Sequence, residues 1–399
     1  MKAAIQLDFV PRIPYGTKDF LPREAAEKRR VEADLATLFA QWGYDEVVTP
    51  TFEYLETLEV GNGGQSQGQV FKFFDQHNRL VALRHDMTTP IARVAATRLK
   101  EAEPPLKLFY LTNVFRQEEA QTGRQCEFYQ GGIEVLGVSD STADAEVIAL
   151  AVESLRSAGL KNFQFSLGQV DFINGLMDPI DSLGDLSKRL KRAVVGRNLV
   201  DLELCLNEST LSSNEKTALL ELPLLHGGAE VLSKAGKLTS NPICRQALEN
   251  LREIHELLTH YEVANYVNFD LGLTRDLDYY TGMVFEGYTP GLGFPVCGGG
   301  RYDRMLEAFG TECPATGFAL GVERIMLALE KQGANILSVQ DDIYLAWAPD
   351  CLAEALKKAM QLRQAGNQVE VAMRPQLKED AKWTQQEKGR RRLVYVNAE

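Results

Sequence analysis

The sequence predicts an α+β protein in which an antiparallel sheet is flanked by helices, interrupted by a helical insertion and followed by a small α/β module. Three observations predict this class. Segments that alternate like strands occupy residues 107–117 and 128–137 and return after residue 263. Between about 172 and 263 the chain is helical in character and poor in β-branched residues. After residue 340, strand-like and helix-like segments alternate as β-α-β-α-β.

These patterns predict two domains. The core covers residues 1–335, with the helical insertion at about 172–263, and the C-terminal α/β module covers 340–399. A length of 399 residues exceeds one average domain. The apolar fraction of 45% and the charged fraction of 25% are those of an ordinary soluble globular protein.

The elements of the core follow from periodicity and turn residues. Residues 23–43 carry an apolar stripe at helical spacing that stops at Gly43. A short strand at 46–48 is broken by Pro50, and a hairpin follows with its turn around His77–Asn78. The remaining predictions for the core are helices at 89–102, 144–159 and 317–333 and strands within 267–273, 282–289 and 294–300.

Composition narrows the class of protein. No apolar run approaches the roughly 20 residues that a membrane span needs, and the first residues lack the apolar stretch of a secretory signal. The six cysteines are scattered without a CxxC pair, which predicts free thiols in a reducing cytosol. The net charge of −12 argues against a nucleic-acid partner, because protein surfaces that bind nucleic acids are usually basic. We therefore expect a cytoplasmic protein with neither a membrane nor a nucleic-acid partner.

Short motifs for metals and phosphates are weak. The two histidines of HELLTH, His255 and His260, are five residues apart, whereas a zinc-binding helix needs a spacing of four. The run CGGGRYD at 297–303 lacks the Lys-Ser/Thr pair of a P-loop. No loop for a phosphoribosyl diphosphate is evident either. The sequence therefore predicts no metal, no cofactor and no catalytic residues for phosphoribosyl transfer.

Separated polar residues within apolar strand contexts are the most informative feature. Buried charge is costly unless it is paired, so many such groups on one sheet predict a polar pocket for a zwitterionic ligand. An equally acceptable interpretation by composition alone is a set of internal salt bridges spread over the sheet. The residues concerned are Asp86, Thr88, Arg116, Glu118, Gln130, Glu134, Arg275, Tyr279, Tyr280, Tyr302 and Arg324.

Five segments, in order along about residues 14–330, resemble motifs of class II aminoacyl-tRNA synthetases. The first resembles the dimer-forming helix and strand and ends at Pro50; the second is FRQEEAQTGRQCEFYQ and the third is ATGFALGVERIMLAL, which contains Arg324. Two further segments, TRDLDYYTGMVFEGY and CGGGRYD, resemble the histidine-specific motifs of histidyl-tRNA synthetase.

Finer details resemble a paralogous family, the regulatory subunits of ATP phosphoribosyltransferase. The segment LRHDMTTPIARVAATRL is similar to that family's LRPDMT-type segment. Relative to the synthetase pattern, Cys126 replaces an arginine of the second motif, and Asp276 replaces a glycine beside the arginine that is catalytic in the synthetases. The C-terminal module has three strands, fewer than the anticodon-binding domain of the synthetases.

The resemblance implies a role for each predicted site residue. It assigns Asp86, Thr88 and Gln130 to the α-ammonium group of histidine and Arg275 to its carboxylate. Glu134 and Tyr280 would meet the imidazole nitrogens, while Tyr279 and Tyr302 wall the pocket. A vestigial ATP site would consist of Arg116, Glu118, Arg124 and Arg324.

The function that the resemblance implies is regulatory and non-catalytic. The chain would activate a separate short-form catalytic subunit, which carries out the first step of histidine biosynthesis, and would bind L-histidine for feedback inhibition. A homodimer formed through residues 23–50, within a larger hetero-oligomer, is implied as well. Two alternatives stay open: a divergent histidyl-tRNA synthetase, and a class II ATP-dependent amino-acid ligase.

Overall fold

The computed structural model describes residues 12–61, 70–117, 125–273, 280–334, 336, 342–390 and 392–397. The chain divides into two units, Met1–Ile336 and Leu337–Glu399. Within the described ranges, no helix is both long and apolar enough to cross a membrane. All six cysteines are free thiols.

The first unit contains a large sheet, a small sheet and helices. Its strands are β1 (Asp45–Glu46), β2 (Phe52–Tyr54), β3 (Lys72–Phe74), β4 (Leu80–Leu83), β5 (Leu106–Phe115), β6 (Glu127–Leu136), β7 (Gln164–Gln169), β8 (His226–Gly227), β9 (Val267–Asp270), β10 (Met283–Tyr288), β11 (Cys297–Arg301) and β12 (Ala315–Gly321). Its helices are α1 (Pro22–Gln41), α2 (Leu55–Gly61), α3 (Thr88–Thr97), α4 (Ser141–Ser157), α5 (Val170–Met177), α6 (Asp185–Val195), α7 (Leu199–Glu208), α8 (Ser213–Glu221), α9 (Glu230–Ala235), α10 (Pro242–His260) and α11 (Val322–Lys331).

The large sheet has nine strands in the order β1-β5-β6-β12-β11-β10-β7-β9-β8. Neighbouring strands are antiparallel, as predicted, except that β1 runs parallel to β5 and β7 runs parallel to β9. The small sheet, in the order β2-β4-β3, contains the predicted hairpin between β3 and β4. Helices α5 to α10 occupy the stretch predicted as a helical insertion within the core, while the predicted domain bounds stay a prediction.

One face of the large sheet, which we call the core face, carries most of the aromatic core. Along a single row of paired residues it presents Phe109, Ile133, Phe318, Phe285 and Phe269, which are all nearly inaccessible to solvent. Helices α1, α4, α10 and α11 pack on this face with their own apolar stripes. Burying side chains of this size supplies most of the free energy that holds the sheet to the helices.

The predicted closing helix at 317–333 is wrong in its first part. Residues Ala315–Gly321 form β12, a central strand of the large sheet, and only Val322–Lys331 are helical. The alternation ATGFALG places Phe318 and Leu320 on the core face and the intervening small residues on the other. The sequence interpretation assigned these two apolar residues to the apolar stripe of the following helix. In so short a segment, the same residues fit both the spacing of a helix face and the alternation of a strand.

The second unit follows the predicted β-α-β-α-β order. Its elements are β13 (Asp342–Trp347), α12 (Leu352–Gln364), β14 (Gln368–Val371), α13 (Lys378–Glu387) and β15 (Arg392–Val396). The three strands form a parallel sheet in the order β14-β13-β15. Its own small core is built around Ile343, Leu345 and Ala355.

Candidate functional site

The second face of the large sheet, which we call the pocket face, has a floor of small residues. In the row next to the aromatic one, Glu134 of β6 lies opposite Gly317 of β12, which lies opposite Gly300 of β11. The same row continues through Val284 to Gly168. Because glycine has no side chain, these positions leave space above the strands where the core face has large aromatic rings.

Glu134 is the central charged group of the pocket face. Its side chain is only 2% exposed, and it accepts hydrogen bonds from the hydroxyls of Thr88, at 3.1 Å, and Tyr302. Burial raises the pKa of the Glu134 carboxyl to about 8; the two hydroxyls lower it and the nearby Asp86 carboxylate raises it further. A ligand that brings an N–H donor or a positive charge to this carboxylate would remove the cost of ionising it.

The absence of a side chain at Gly317 is what makes room for Glu134. A Cβ atom at this position would lie 1.8 Å from Oε2 of Glu134 and 2.4 Å from the carbonyl oxygen of Ile133. Both distances are far below a van der Waals contact, so no other residue fits opposite Glu134 without moving it. The glycine is therefore part of the site.

Asp86, which precedes α3, has both carboxylate oxygens held. His85 Nε2 lies 2.8 Å from Oδ2, and the backbone N–H of Thr89 donates to Oδ1 at 3.3 Å. Burial raises the pKa of the Asp86 carboxyl, but His85, Arg116 and the Thr89 N–H together bring it below its usual value. The site thus combines one ionised carboxylate, at Asp86, with one that readily holds a proton, at Glu134.

Gln130 lies on the same face of β6 as Glu134, four residues earlier. The residue is 8% exposed, and its side-chain oxygen Oε1 is buried with no hydrogen-bond partner in the part of the chain that the structure describes. Since buried polar atoms in proteins are almost always satisfied, this oxygen is a suitable acceptor for a ligand N–H group.

Tyrosine side chains line the pocket beside Glu134. Tyr302 is buried and bonds Glu134 directly, whereas the ring of Tyr280 lies against Gly300, where a Cβ atom would come within 2.8 Å of it. The structure thus brings Thr88, Glu134 and Tyr302 into contact. Arg275 and Tyr279, which were predicted to bind the ligand carboxylate and to wall the pocket, lie outside the described residues.

Two of the four residues predicted for a vestigial ATP site are described. Arg116 Nε donates to the carbonyl oxygen of His85 at 3.0 Å, and its guanidinium lies over the ring of Phe128. Arg324 donates to the carbonyl oxygen of Pro295 at 2.8 Å. Glu118 and Arg124 lie outside the described residues, as does Asp276.

Cys126, which stands at the position where the synthetase pattern has an arginine, is buried next to Gly16. Its backbone N–H donates to the carbonyl oxygen of Gly16 at 2.7 Å. A Cβ atom on Gly16 would lie 2.3 Å from the cysteine sulfur, so the two backbones are packed closely. The thiol therefore contributes to packing of the segment before α1.

Sequence interpretation missed several residues of the site. Tyr110 on β5 is fully buried on the pocket face, with its hydroxyl against Gly132, and burial together with the Glu134 carboxylate raises its pKa. Strand alternation relative to Glu134 could have indicated Gly132 as a floor residue, and through its pairing Tyr110. The role of Gly317 could not have been found, because it depends on strand pairing across 183 residues of sequence.

Other polar regions of the first unit are separate from this pocket. A surface cavity of about 690 Å³ lies between the start of α4 and α10 and contains none of the predicted site residues. Among the described residues, no group of three or more His, Cys, Asp or Glu side chains is placed to hold a metal ion.

Comparisons with solved structures define the class of fold. The chain is similar to the crystal structure of histidyl-tRNA synthetase from Nostoc, with a TM-score of 0.83 over 98% of this chain and 92% of that one, at 22% identity. It is also similar, at 33% identity and a TM-score of 0.86 over 98% of this chain and 99% of that chain, to a structure described as an ATP phosphoribosyltransferase regulatory subunit/histidyl-tRNA synthetase from Bacillus halodurans. The fold is that of a class II aminoacyl-tRNA synthetase.

Sequence relatives define the family more narrowly. The family model for histidyl-tRNA synthetase matches residues 16–325. The ATP phosphoribosyltransferase regulatory subunit of Desulforamulus reducens is 42% identical over 97% of this chain and 96% of that protein. The corresponding subunit of Moorella thermoacetica is 44% identical over 90% of this chain and 91% of that protein. The chain belongs to the ATP phosphoribosyltransferase regulatory subunit family, within the wider group that the histidyl-tRNA synthetase model describes.

Proposed function

We propose that this chain senses L-histidine for an ATP phosphoribosyltransferase, activating a separate short-form catalytic subunit and lowering its activity when histidine is bound. The observation that carries the proposal is the buried Glu134 carboxyl, whose pKa of about 8 is well above that of an ordinary carboxyl and close to neutral pH. An imidazole ring can donate an N–H to this group, and because it titrates near neutral pH it can also accept the group's proton, which amide side chains cannot do.

The charges around Glu134 suit the remainder of a histidine molecule. Asp86 stays ionised, because His85 and Arg116 lower its pKa, and offers a partner to the α-ammonium group. The unsatisfied oxygen of Gln130 offers a second acceptor. The predicted contact of Thr88 with the ammonium group remains a prediction, because its hydroxyl bonds Glu134. In this proposal Arg275 binds the carboxylate.

Amino-acid activation is not part of the proposed function. Activation needs cations around the transferred phosphates, placed where charge develops. The buried thiol of Cys126 supplies no cation, and Asp276 next to Arg275 would partly neutralise the guanidinium that the synthetase reaction needs. Recognition of a zwitterion requires only complementary charge and hydrogen bonds, which Asp86, Gln130 and Arg275 would supply in this proposal.

A homodimer formed through residues 23–50, within a larger complex with the catalytic subunit, is part of the proposal. Strand β1 lies at one end of the large sheet, where, among the described residues, its strand partner is β5. Just beyond it Val48 is 84% exposed, and Phe52 is 50% exposed. An unpaired sheet edge beside exposed apolar side chains favours burial against another protein surface.

Reconstitution tests the regulatory role. The full chain is mixed with a short-form catalytic subunit, and phosphoribosyl transfer is measured with and without L-histidine. We expect transfer to rise when this chain is added and to fall on addition of histidine. A catalytic subunit whose rate is unaffected by this chain would overturn the proposal, and so would activation that histidine does not reverse.

Calorimetry tests the site. Glu134→Gln keeps the shape but removes the ability of this group to become ionised when histidine binds, so we expect the affinity for histidine to fall roughly 10- to 100-fold, the usual effect of losing a charged hydrogen bond. The matched control is Glu323→Gln, which changes another carboxylate, a half-buried one that accepts the backbone N–H of Tyr129 and is not among the predicted histidine-binding residues. Equal affinities for wild type and Glu134→Gln would contradict the assignment.

Pyrophosphate exchange separates the proposal from the two alternatives. Wild-type protein is incubated with ATP, Mg²⁺, labelled pyrophosphate and L-histidine, with and without tRNA. We expect no exchange above a protein-free control. Exchange without tRNA would show amino-acid activation, which both alternatives share. A separate assay of tRNA charging then distinguishes them, because charging favours a synthetase and activation without charging favours an amino-acid ligase.

A further inference from the structure

Arg301 is the last residue of β11, and its side chain turns away from the pocket. It lies on the core face with a side chain that is 7% exposed, next to Asp144 of α4, whose side chain is 1% exposed. The guanidinium Nε donates to both carboxylate oxygens of Asp144 at 3.1 Å, and a second nitrogen lies 2.9 Å from Oδ1. Arg301 and Asp144, which we call the clamp pair, join residues 157 positions apart.

The guanidinium of Arg301 makes further contacts with its own neighbourhood. It donates to the carbonyl oxygen of Val138 at 3.0 Å, in the loop between β6 and α4, and to the carboxylate of Asp303 at 3.0 Å. The same oxygen of Asp303 accepts the backbone N–H of Ala315 at 3.0 Å. Residues 301 and 303 are therefore both fixed by side-chain contacts.

Tyr302 stands between these two fixed residues and just beyond the end of β11. Its backbone N–H donates to the carbonyl oxygen of Ala315 at 2.8 Å, but the regular ladder has ended at Arg301. Its side chain points to the opposite face of the sheet from that of Arg301, as alternate residues do. There its hydroxyl bonds the buried carboxyl of Glu134.

The same network reaches the other pocket tyrosine. The backbone N–H of Thr281 donates to the carbonyl oxygen of Arg301 at 2.8 Å, and the Thr281 hydroxyl accepts the N–H of Asp303 at 3.0 Å. Thr281 directly follows Tyr280, whose ring lies against Gly300. The backbone of Arg301 to Asp303 thus fixes both ring-bearing segments of the pocket.

We propose that the clamp pair is a positioning device for the ligand pocket: by fixing the backbone of Arg301 to Asp303, it sets the Tyr302 hydroxyl against Glu134 and thereby sets the affinity for the ligand. This inference rests on the proposed function, because it concerns the affinity of the histidine site. It assigns no contact between the clamp pair and the ligand.

Stability alone does not account for this arrangement. A buried ion pair is often replaceable by apolar residues of similar volume without loss of stability. What an apolar pair cannot reproduce is the direction of the guanidinium bonds, which fix Val138, Asp144 and Asp303 at the same time. The clamp pair therefore fixes the positions of these groups more than it stabilises the fold.

A double-mutant cycle tests the proposal, with histidine affinity measured by calorimetry on the full chain. Arg301→Lys keeps the charge but loses the forked donor geometry. We expect it to weaken histidine binding about tenfold in the wild-type background and less than twofold in a Tyr302→Phe background, where the hydroxyl to be positioned is absent. A purely structural role would weaken binding equally in both backgrounds and would overturn the proposal.

Two further proteins complete the test. Arg301→Met/Asp144→Leu replaces the pair by apolar residues; we expect it to fold and to bind histidine about tenfold more weakly. Arg93→Lys, the control, changes another arginine–carboxylate pair, with Glu53 at 2.6 Å, and should leave the affinity within twofold. If wild type binds histidine and both Arg301 variants bind it as tightly as wild type does, the inference is wrong while the proposed function stands. The same conclusion follows if neither variant folds. If wild type does not bind histidine, the proposed function itself is wrong.

Discussion

Two neighbouring rows of residues cross the same strands of the large sheet on opposite faces and differ in composition. One row, on the core face, reads Phe109, Ile133, Phe318, Gly299, Phe285, Leu167 and Phe269. The next row, on the pocket face, reads Leu108, Glu134, Gly317, Gly300, Val284 and Gly168. Strands β6, β12 and β7 therefore each give a large apolar side chain to the core face and a small or polar residue to the pocket face.

The difference teaches how the floor of a pocket can be built from regular strands. Apolar burial on the core face fixes the strands against α1, α4 and α10. Because the core face already fixes the strands, glycines are tolerated on the pocket face, and the space above Gly317 and Gly300 accommodates the Glu134 side chain and the Tyr280 ring. In the proposed function, stability depends on the core face and ligand recognition on the pocket face. Substitutions on one face should therefore change one of these properties and leave the other unchanged.

The largest effect is expected from Phe285→Ala on the core face. Phe285 is fully buried, with ring centroids 5.8 Å from Phe165 and 6.5 Å from Phe318, so removal of its ring leaves a cavity. We expect a loss of about 3–5 kcal/mol in the free energy of unfolding. Urea denaturation followed by fluorescence measures it. A loss below about 1 kcal/mol would contradict the assignment of stability to this face.

The next effect is expected from Gly317→Ala on the pocket face. The new methyl group would displace Glu134, so histidine affinity should fall roughly 10- to 100-fold, as for the loss of a charged hydrogen bond. Gly293→Ala is the matched control, because nothing lies within 4 Å of its Cβ position. Calorimetry that gave the same affinity for both variants would show that this glycine does not shape the site.

The pH dependence of stability distinguishes Glu134 from the half-buried Glu323 on α11. Burial raises the pKa of Glu134 from 4.5 to about 8 and that of Glu323 from 4.5 to about 7. Each carboxyl therefore binds its proton more tightly in the folded state, so its contribution to stability is lost as pH rises between the unfolded and folded values. The loss is about 1.4 kcal/mol per pH unit at most for each group.

Denaturant unfolding at pH 5, 6, 7 and 8 measures these contributions. Relative to wild type, Glu323→Gln should gain stability up to about pH 7 and then level off. Glu134→Gln should continue to gain up to about pH 8. Differences that stay constant across this range would show that neither carboxyl titrates where burial places it.

The smallest effect is expected from Ala319→Ser in the pocket floor. Ala319 lies opposite Gly132 and is partly exposed, so we expect an added hydroxyl to be hydrated and the free energy of unfolding to change by less than about 0.5 kcal/mol. The neighbouring Leu320→Ser, on the core face, should cost at least about 2 kcal/mol. Equal costs for the two variants would remove the distinction between the faces.

Much of the fold could be predicted, since local patterns set it. Alternation predicted β5 and β6, and it placed Gln130 and Glu134 on one face because four residues are two full strand periods. Helix α1 begins and ends within two residues of its prediction. The fold family and the predicted roles of the site residues came from motif resemblance, which no single spacing would have supplied.

Long-range pairing could not be predicted from the sequence. Neither Gly317 opposite Glu134 nor Asp144 beside Arg301 leaves a local signal, because each depends on which strands and helices become neighbours. The parallel pairing of β1 with β5 is of the same kind. Strand β12 was missed because its two large residues also fit the stripe of the helix that follows.

The two-sided construction of the large sheet has an evolutionary consequence. Floor residues and core residues alternate along the same strands and point to opposite faces of the sheet, so mutations that redesign the floor should leave the hydrophobic interior intact. After duplication of a synthetase gene, one copy could therefore lose its catalytic activity and change its ligand while every intermediate protein still folded. A ligand sensor is one of the functions that such an enzyme could acquire most readily.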